Sequence, residues 1–110
     1  DPDIFFNGKS WVLYISRGRS TDAFISEDIN GPFDYAARVS DNSGGVPAGI
    51  WDPERNTVLT YVSSGQKGTI LTAESVDGLS PLRSFTEALS GAALPFESGL
   101  VGSPGIAINE

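Results

Sequence analysis

The 110-residue chain contains no cysteine, no histidine and no methionine. Without cysteine there is no disulfide, thiolate nucleophile, cysteine-ligated zinc or iron–sulfur centre. Without histidine there is no Ser-His-Asp triad, no His-ligated hydrolytic zinc and no imidazole acid–base chemistry. Any catalysis must fall mostly to carboxylates. Positive charge is scarce as well: 7 Lys+Arg stand against 14 Asp+Glu, a formal net charge of -7. That balance disfavours nucleic acid and anionic membrane surfaces as partners. No apolar run approaches the roughly 20 residues of a membrane-spanning helix, and no signal-peptide pattern is present. The missing Met and the Asp-Pro-Asp opening predict a processed or excised product. The missing Cys leaves the compartment open, because cytosolic proteins and many secreted bacterial ones share it.

What is present is glycine and proline, 13 and 7 residues, falling between short apolar stretches rather than inside long ones. That punctuation predicts many short strands joined by tight turns, in a chain the size of one small domain. Asp3 to Phe6 is a first extended run, and Asn7-Gly8 is a strong hairpin signal. Ser10 to Ser16, with Trp11, Val12, Tyr14 and Ile15, reads as a buried strand. Arg17-Gly18-Arg19-Ser20 turns into a strand over Asp22 to Glu27. Asn30-Gly31-Pro32 then leads to Phe33 to Val39, whose period of two suits a half-exposed outer strand. The second half repeats the order: Ala48 to Trp51, Thr57 to Val62, Thr69 to Ala73 and Leu82 to Leu89. Phe85 to Leu89 has helical propensity but no cap, and strand is the expectation there.

The two halves form an internal repeat. Asp1-Pro2-Asp3-Ile4-Phe5-Phe6-Asn7 aligns with Val46-Pro47-Ala48-Gly49-Ile50-Trp51-Asp52, and a third opening follows at Ser103-Pro104-Gly105-Ile106-Ala107-Ile108-Asn109. Ile25 to Phe33 aligns with Thr72 to Leu82. A four-strand unit recurring at about 40–50 residues is the signature of a β-propeller blade. The expected fold is therefore all-β: a propeller-like repeat of two four-stranded antiparallel blades, 1–45 and 46–100, plus a ninth strand in 101–110. A nine-strand sandwich with chemically similar hairpins is the alternative.

Two segments carry a family likeness. Asp1 to Ser16, an Asp-Pro opening followed by an apolar strand, a Gly turn and an aromatic strand ending Tyr14-Ile15-Ser16, resembles the blade opening of the five-bladed propeller glycosidases. These include the arabinanases and xylosidases with their invertase, levansucrase and mannoside-phosphorylase relatives. Ser26 to Phe33, with Asp28 and Gly31-Pro32, is similar to the third-strand ending of those blades. The resemblance covers nearly the whole chain at blade level and speaks more to fold than to activity. It implies three acidic residues at one end of a central channel: a base or nucleophile, an orienting Asp and a general-acid Glu. Glycosidic cleavage needs two carboxyls in different environments, one ionised and one protonated.

Only Asp1 occupies the Asp-Pro position, so it is the candidate catalytic residue. Val46 and Ser103 stand at the equivalent places, and Gly102-Ser103-Pro104 lacks the glutamate of a Glu-Gly-Pro acid motif. The nearest other acids are Asp3, Asp52, Glu97 and Glu110. Trp51, Asp3 and Asp52 are the candidate ligand-binding residues, Trp51 because an aromatic at a channel mouth can stack on a sugar. Trp11 and Tyr14 read instead as packing between blades. Arg17-Gly18-Arg19 reads as a solvated hairpin tip. Asp22, Glu27, Asp28 and Asp34 lack calcium-loop spacing and read as a solvated outer surface. Ser16, Ser63 and Ser64 have no base to activate them, and Gly44-Gly45 reads as a turn rather than a phosphate loop. No metal or cofactor is expected. Two blades leave lateral apolar faces uncovered, which predicts a dimer, a trimer or the remainder of a longer propeller. The functional expectation is a carbohydrate-active module without a complete carboxylate set in one chain. The alternatives are a lectin-like or structural oligomer, or an orphan fragment.

Overall fold

A computed structural model describes residues 2–41, 44–64, 68–80, 85–90 and 104–105. Asp1, Glu97, Glu110 and, apart from Pro104 and Gly105, the third opening lie outside the described residues. The β-branched and aromatic runs of each half form strands, and Gly, Asn and Asp supply the reversals between them. The elements are β1 (Pro2–Phe6), β2 (Trp11–Arg17), β3 (Ser20–Ser26), β4 (Asp34–Ser40), β5 (Gly45–Asp52), β6 (Thr57–Ser64), β7 (Thr69–Ser75) and β8 (Thr86–Ser90). They make two antiparallel four-stranded sheets, β1-β2-β3-β4 and β5-β6-β7-β8, each a meander in chain order. The fold is all-β, and a pair of propeller-like blades is compatible with it. Of the strand expected over Leu82 to Leu89, Leu82 to Ser84 lie outside the described residues, and strand rather than helix forms over the rest as β8.

The registers of the two sheets repeat. Asp3 pairs with Tyr14 as Ala48 does with Tyr61. Phe5 pairs with Val12 as Ile50 does with Leu59, and Phe6 with Trp11 as Trp51 does with Val58. Side chains alternate between faces along a strand, so this register assigns each residue a face. Phe5, Val12, Tyr14 and Ala23 of the first sheet and Val58 of the second form the buried core between the sheets, with Trp51 packed against it. Tyr14 and Val58 are completely buried. Phe5 meets Tyr14 edge-on, with ring centroids 5.1 Å apart.

Gly49 makes the close approach possible. A Cβ there would run into the Phe5 ring, so any side chain would force the sheets apart. Gly8, at φ 92°, is the second such position: its backbone lies against the indole of Trp51, 2.7 Å from where a Cβ would sit to Cζ2.

Two expectations about faces are corrected. The period of two in Phe33 to Val39 placed Tyr35 and Ala37 on one side. Bulges in the β3–β4 ladder break that period, pairing Tyr35 with Phe24 but Ala37 with Ala23. A bulged residue shifts the following side chains to the other face. Tyr35 is consequently 59% exposed, edge-on to Phe24 at 5.5 Å. Trp11 does not enter the inter-sheet core either; it alternates with Val12 and lies on the far face of its sheet, 5.3 Å from Phe6. Tyr14 packs between the sheets as expected.

Candidate functional site

Asp3 is the best-placed of the candidate residues. It stands on β1, its side chain on the face turned toward β5, and its Oδ2 accepts a hydrogen bond from Gly49 N–H at 2.8 Å. The group is half-buried, and burial raises its pKa above the ordinary aspartate value, with the Gly49 bond opposing that rise. Behind it Tyr14 is fully buried. Its hydroxyl lies 2.9 Å from Thr60 Oγ1 and donates to the Gly78 carbonyl at 2.6 Å. Burial pushes the Tyr14 phenol well above the usual tyrosine range. The result is a carboxylate and a neutral phenol fixed along the first strand pair at the seam between sheets.

Trp51 and Asp52 end β5, three and more residues beyond the level of Asp3. Three residues separate Gly49 from Asp52, so the Asp52 side chain leaves the face of the second sheet turned away from Asp3. Asp52 also shapes its own turn, its Oδ1 accepting Glu54 N–H at 3.0 Å. The Trp51 indole rests on Gly8 and meets Phe6 edge-on at 6.3 Å; its Nε1 is buried with no hydrogen-bond partner. The structure thus brings Asp3 and Gly49 together and leaves Asp52 on the opposite face of the strand. Asp1, the candidate catalytic residue, lies outside the described residues.

Val46, at the position aligned with Asp1, has φ 45° and sits in the bulge where β5 begins. Its N–H donates to Ser16 Oγ at 3.0 Å. A β-branched residue in the left-handed region is strained, by about 1–2 kcal/mol.

Two features were missed in the sequence. The first is an ion cluster on the far face of the first sheet. Asp22, expected on a solvated surface, is 4% exposed and accepts from Arg38 Nε at 2.9 Å and Arg17 Nε at 3.3 Å. The Arg38 hydrogen bond above all holds its carboxyl below the usual aspartate range, against the opposing effect of burial. Arg17 is therefore an ion-pair partner as well as a turn residue. Only the spacing of Arg17, Asp22 and Arg38 across three strands carries that signal, and it needs the register to be read. The second is a groove of ≈ 400 Å³ at the Asn7 end, bounded by Asn7, Lys9, Ser10, Asn56, Val76 and Asp77 among others. A second groove, ≈ 490 Å³, lies beside it along Ser26 to Asp34. Asn7 joins the sheets there. Its Oδ1 accepts Lys9 and Ser10 N–H at 3.0 and 2.7 Å, and its Nδ2 donates to the Asp77 carbonyl at 3.0 Å. Neither groove is lined by Asp3, Trp51 or Asp52.

Among the described residues no three acidic side chains gather as a cation site, and no helix is long and apolar enough to cross a membrane. No family model, curated protein or solved structure matches the chain.

Proposed function

We propose that the chain is a carbohydrate-binding module of the propeller-glycosidase type, with Asp1 and Asp3 as the acidic edge of its sugar site. The observation that carries this reading is Asp3: a half-buried carboxylate on the first strand, oriented by Gly49 N–H, two residues after the Asp-Pro position. An oriented carboxylate can accept from sugar hydroxyls, and one with a raised pKa has the property asked of a general acid or base. Hydrolysis would need a second carboxylate, supplied by another blade or another copy, because Asp52 projects from the face of the second sheet turned away from Asp3. The packing of Trp51 on Gly8 and Phe6 favours binding through hydrogen bonds over stacking on that indole.

The test is a panel of neutral oligosaccharides titrated into the full chain and its Asp1→Asn and Asp3→Asn variants by calorimetry, with reducing-end release assayed in parallel. Binding weakened about tenfold or more by each variant is the expected result. Absence of binding across the panel, or affinity untouched in both variants, overturns the reading.

A further inference from the structure

The seam between the sheets joins two unlike faces. The first sheet contributes Phe5, Val12 and Tyr14; the second contributes Gly49, Trp51, Val58 and Thr60. Because the registers repeat, each sheet also carries the other half of this seam on its far side. On the second sheet, Ile50, Leu59 and Tyr61 stand where the first has Phe5, Val12 and Tyr14. On the first sheet, Ile4, Phe6, Trp11 and Leu13 stand where the second has Gly49, Trp51, Val58 and Thr60. That first-sheet face is open, with Ile4 43% and Phe6 40% exposed.

We propose that the far face of the second sheet packs on the far face of the first sheet of a second copy, repeating the internal seam head to tail. The proposal is independent of the carbohydrate reading. Its occupant follows from continuity: the surface that covers Ile4 and Leu13 is the one whose counterpart already covers Gly49 and Thr60. The sizes adapt, since Phe5 over Gly49 within the chain becomes Ile50 against Ile4 between copies. Where the second sheet has buried Leu71, the first has Asp22, and Arg17 and Arg38 compensate its charge.

One polar link is retained. Tyr14 donates to the carbonyl of Gly78; Ser75 pairs with Val58 as Ser26 does with Trp11, so the counterpart of Gly78, three residues past Ser75, is Ile29, three past Ser26. The Tyr61 hydroxyl of one copy therefore donates to the Ile29 carbonyl of the other. Two links are lost. Ala48 replaces the Asp3 carboxylate that holds Gly49, and Asp52, an acceptor only, replaces the Asn7 amide that donates to Asp77. The seam between copies is accordingly weaker than the one within the chain, and its head-to-tail form permits a ring or a filament.

Sedimentation equilibrium of the full chain over a wide concentration range tests this. The mass should rise above 11.6 kDa with concentration. Ile4→Glu and Leu59→Glu should each give monomers, and an equimolar mixture should re-form a pair and nothing larger, because each variant keeps the face the other has lost. Asp52→Asn, which installs an amide facing the Asp28 carbonyl of the second copy, the counterpart of that of Asp77, should tighten association about three- to tenfold. If a glutamate variant loses its strand signal in circular dichroism, Ile4→Ser and Leu59→Ser replace the pair. A wild-type mass fixed at that of one chain, association lost through only one of the two faces, or folded variants that fail to recombine would each overturn the proposal.

Discussion

The two sheets share strand order and the register of their inner strands, and among the matched positions where they differ three decide the seam: Asp3 against Ala48, Ile4 against Gly49, and Asn7 against Asp52. In the first sheet Asp3 and Asn7 reach across the seam to Gly49 N–H and the Asp77 carbonyl. In the second sheet, Ala48 has no such group, and Asp52 turns its oxygen to its own hairpin. Repetition of a backbone is thus separable from repetition of its contacts. Short apolar strands and turns suffice to build the sheet twice, whereas the polar links were placed once, at the seam that is covered within the chain.

Substitutions at matched positions break this comparison where it is sharpest. Gly49→Val places a branched side chain against Phe5 and should cost about 3 kcal/mol in thermal or urea unfolding. Ile4→Val, at the matched and half-exposed position, should cost under about 1 kcal/mol. Equal losses at the two would mean that the seam does not depend on close approach at Gly49. Tyr14→Phe removes the donor to Gly78 and the partner of Thr60 in a buried site, for a loss of about 1–3 kcal/mol. Tyr61→Phe, in dilute solution where its face is open, should stay within about 0.5 kcal/mol.

The bulge at Val46 offers a gain rather than a loss. Asn tolerates the left-handed region better than Val, so Val46→Asn should raise the melting temperature, by a stabilisation of about 1 kcal/mol. A lower melting temperature would show that packing by the valine outweighs its strain.

The smallest effect is a contrast in pH dependence between two aspartates of the first sheet. Asp22 has a lowered pKa, so its contribution to stability is present above the unfolded value of 3.8 and is lost as pH falls through the folded pKa. Asp3 has a raised pKa, so its contribution is fully present below 3.8 and is lost as pH rises through the folded pKa. Relative to wild type, Asp22→Asn should therefore be most destabilising near neutral pH, with the difference shrinking in acid. Asp3→Asn should compare more favourably at neutral pH than at pH 3. Urea midpoints measured from pH 3 to 7 check both, and parallel curves for the two variants would contradict the assigned environments.

Much of the architecture could be read without coordinates. The aligned openings Asp1 to Asn7 and Val46 to Asp52, each followed by a β-branched or aromatic run, announced matched strand pairs, and Gly8, Gly18 and Gly78 marked turns that do require positive φ. Strand limits moved by a few residues because strands extend as far as ladder partners exist, which propensity does not encode. The site was less legible. Asp3 was a candidate through its place beside Asp1, but its bond to Gly49 joins residues 46 positions apart. Trp51 looked available in sequence because nothing local reveals that Gly8 lies against its ring.

The all-β class, the repeat, most turn positions and the lack of thiol and imidazole groups are already legible in the sequence, since these depend on local pattern and composition. Tertiary structure alone decided which alternating face became the seam, through the fit of Phe5 over Gly49. It also turned Tyr35 outward through a bulge and drew Arg17 and Arg38 onto a buried Asp22. Each of those outcomes is a contact between strands remote in the chain, and such contacts are set by register and close packing, which single-strand periodicity leaves free.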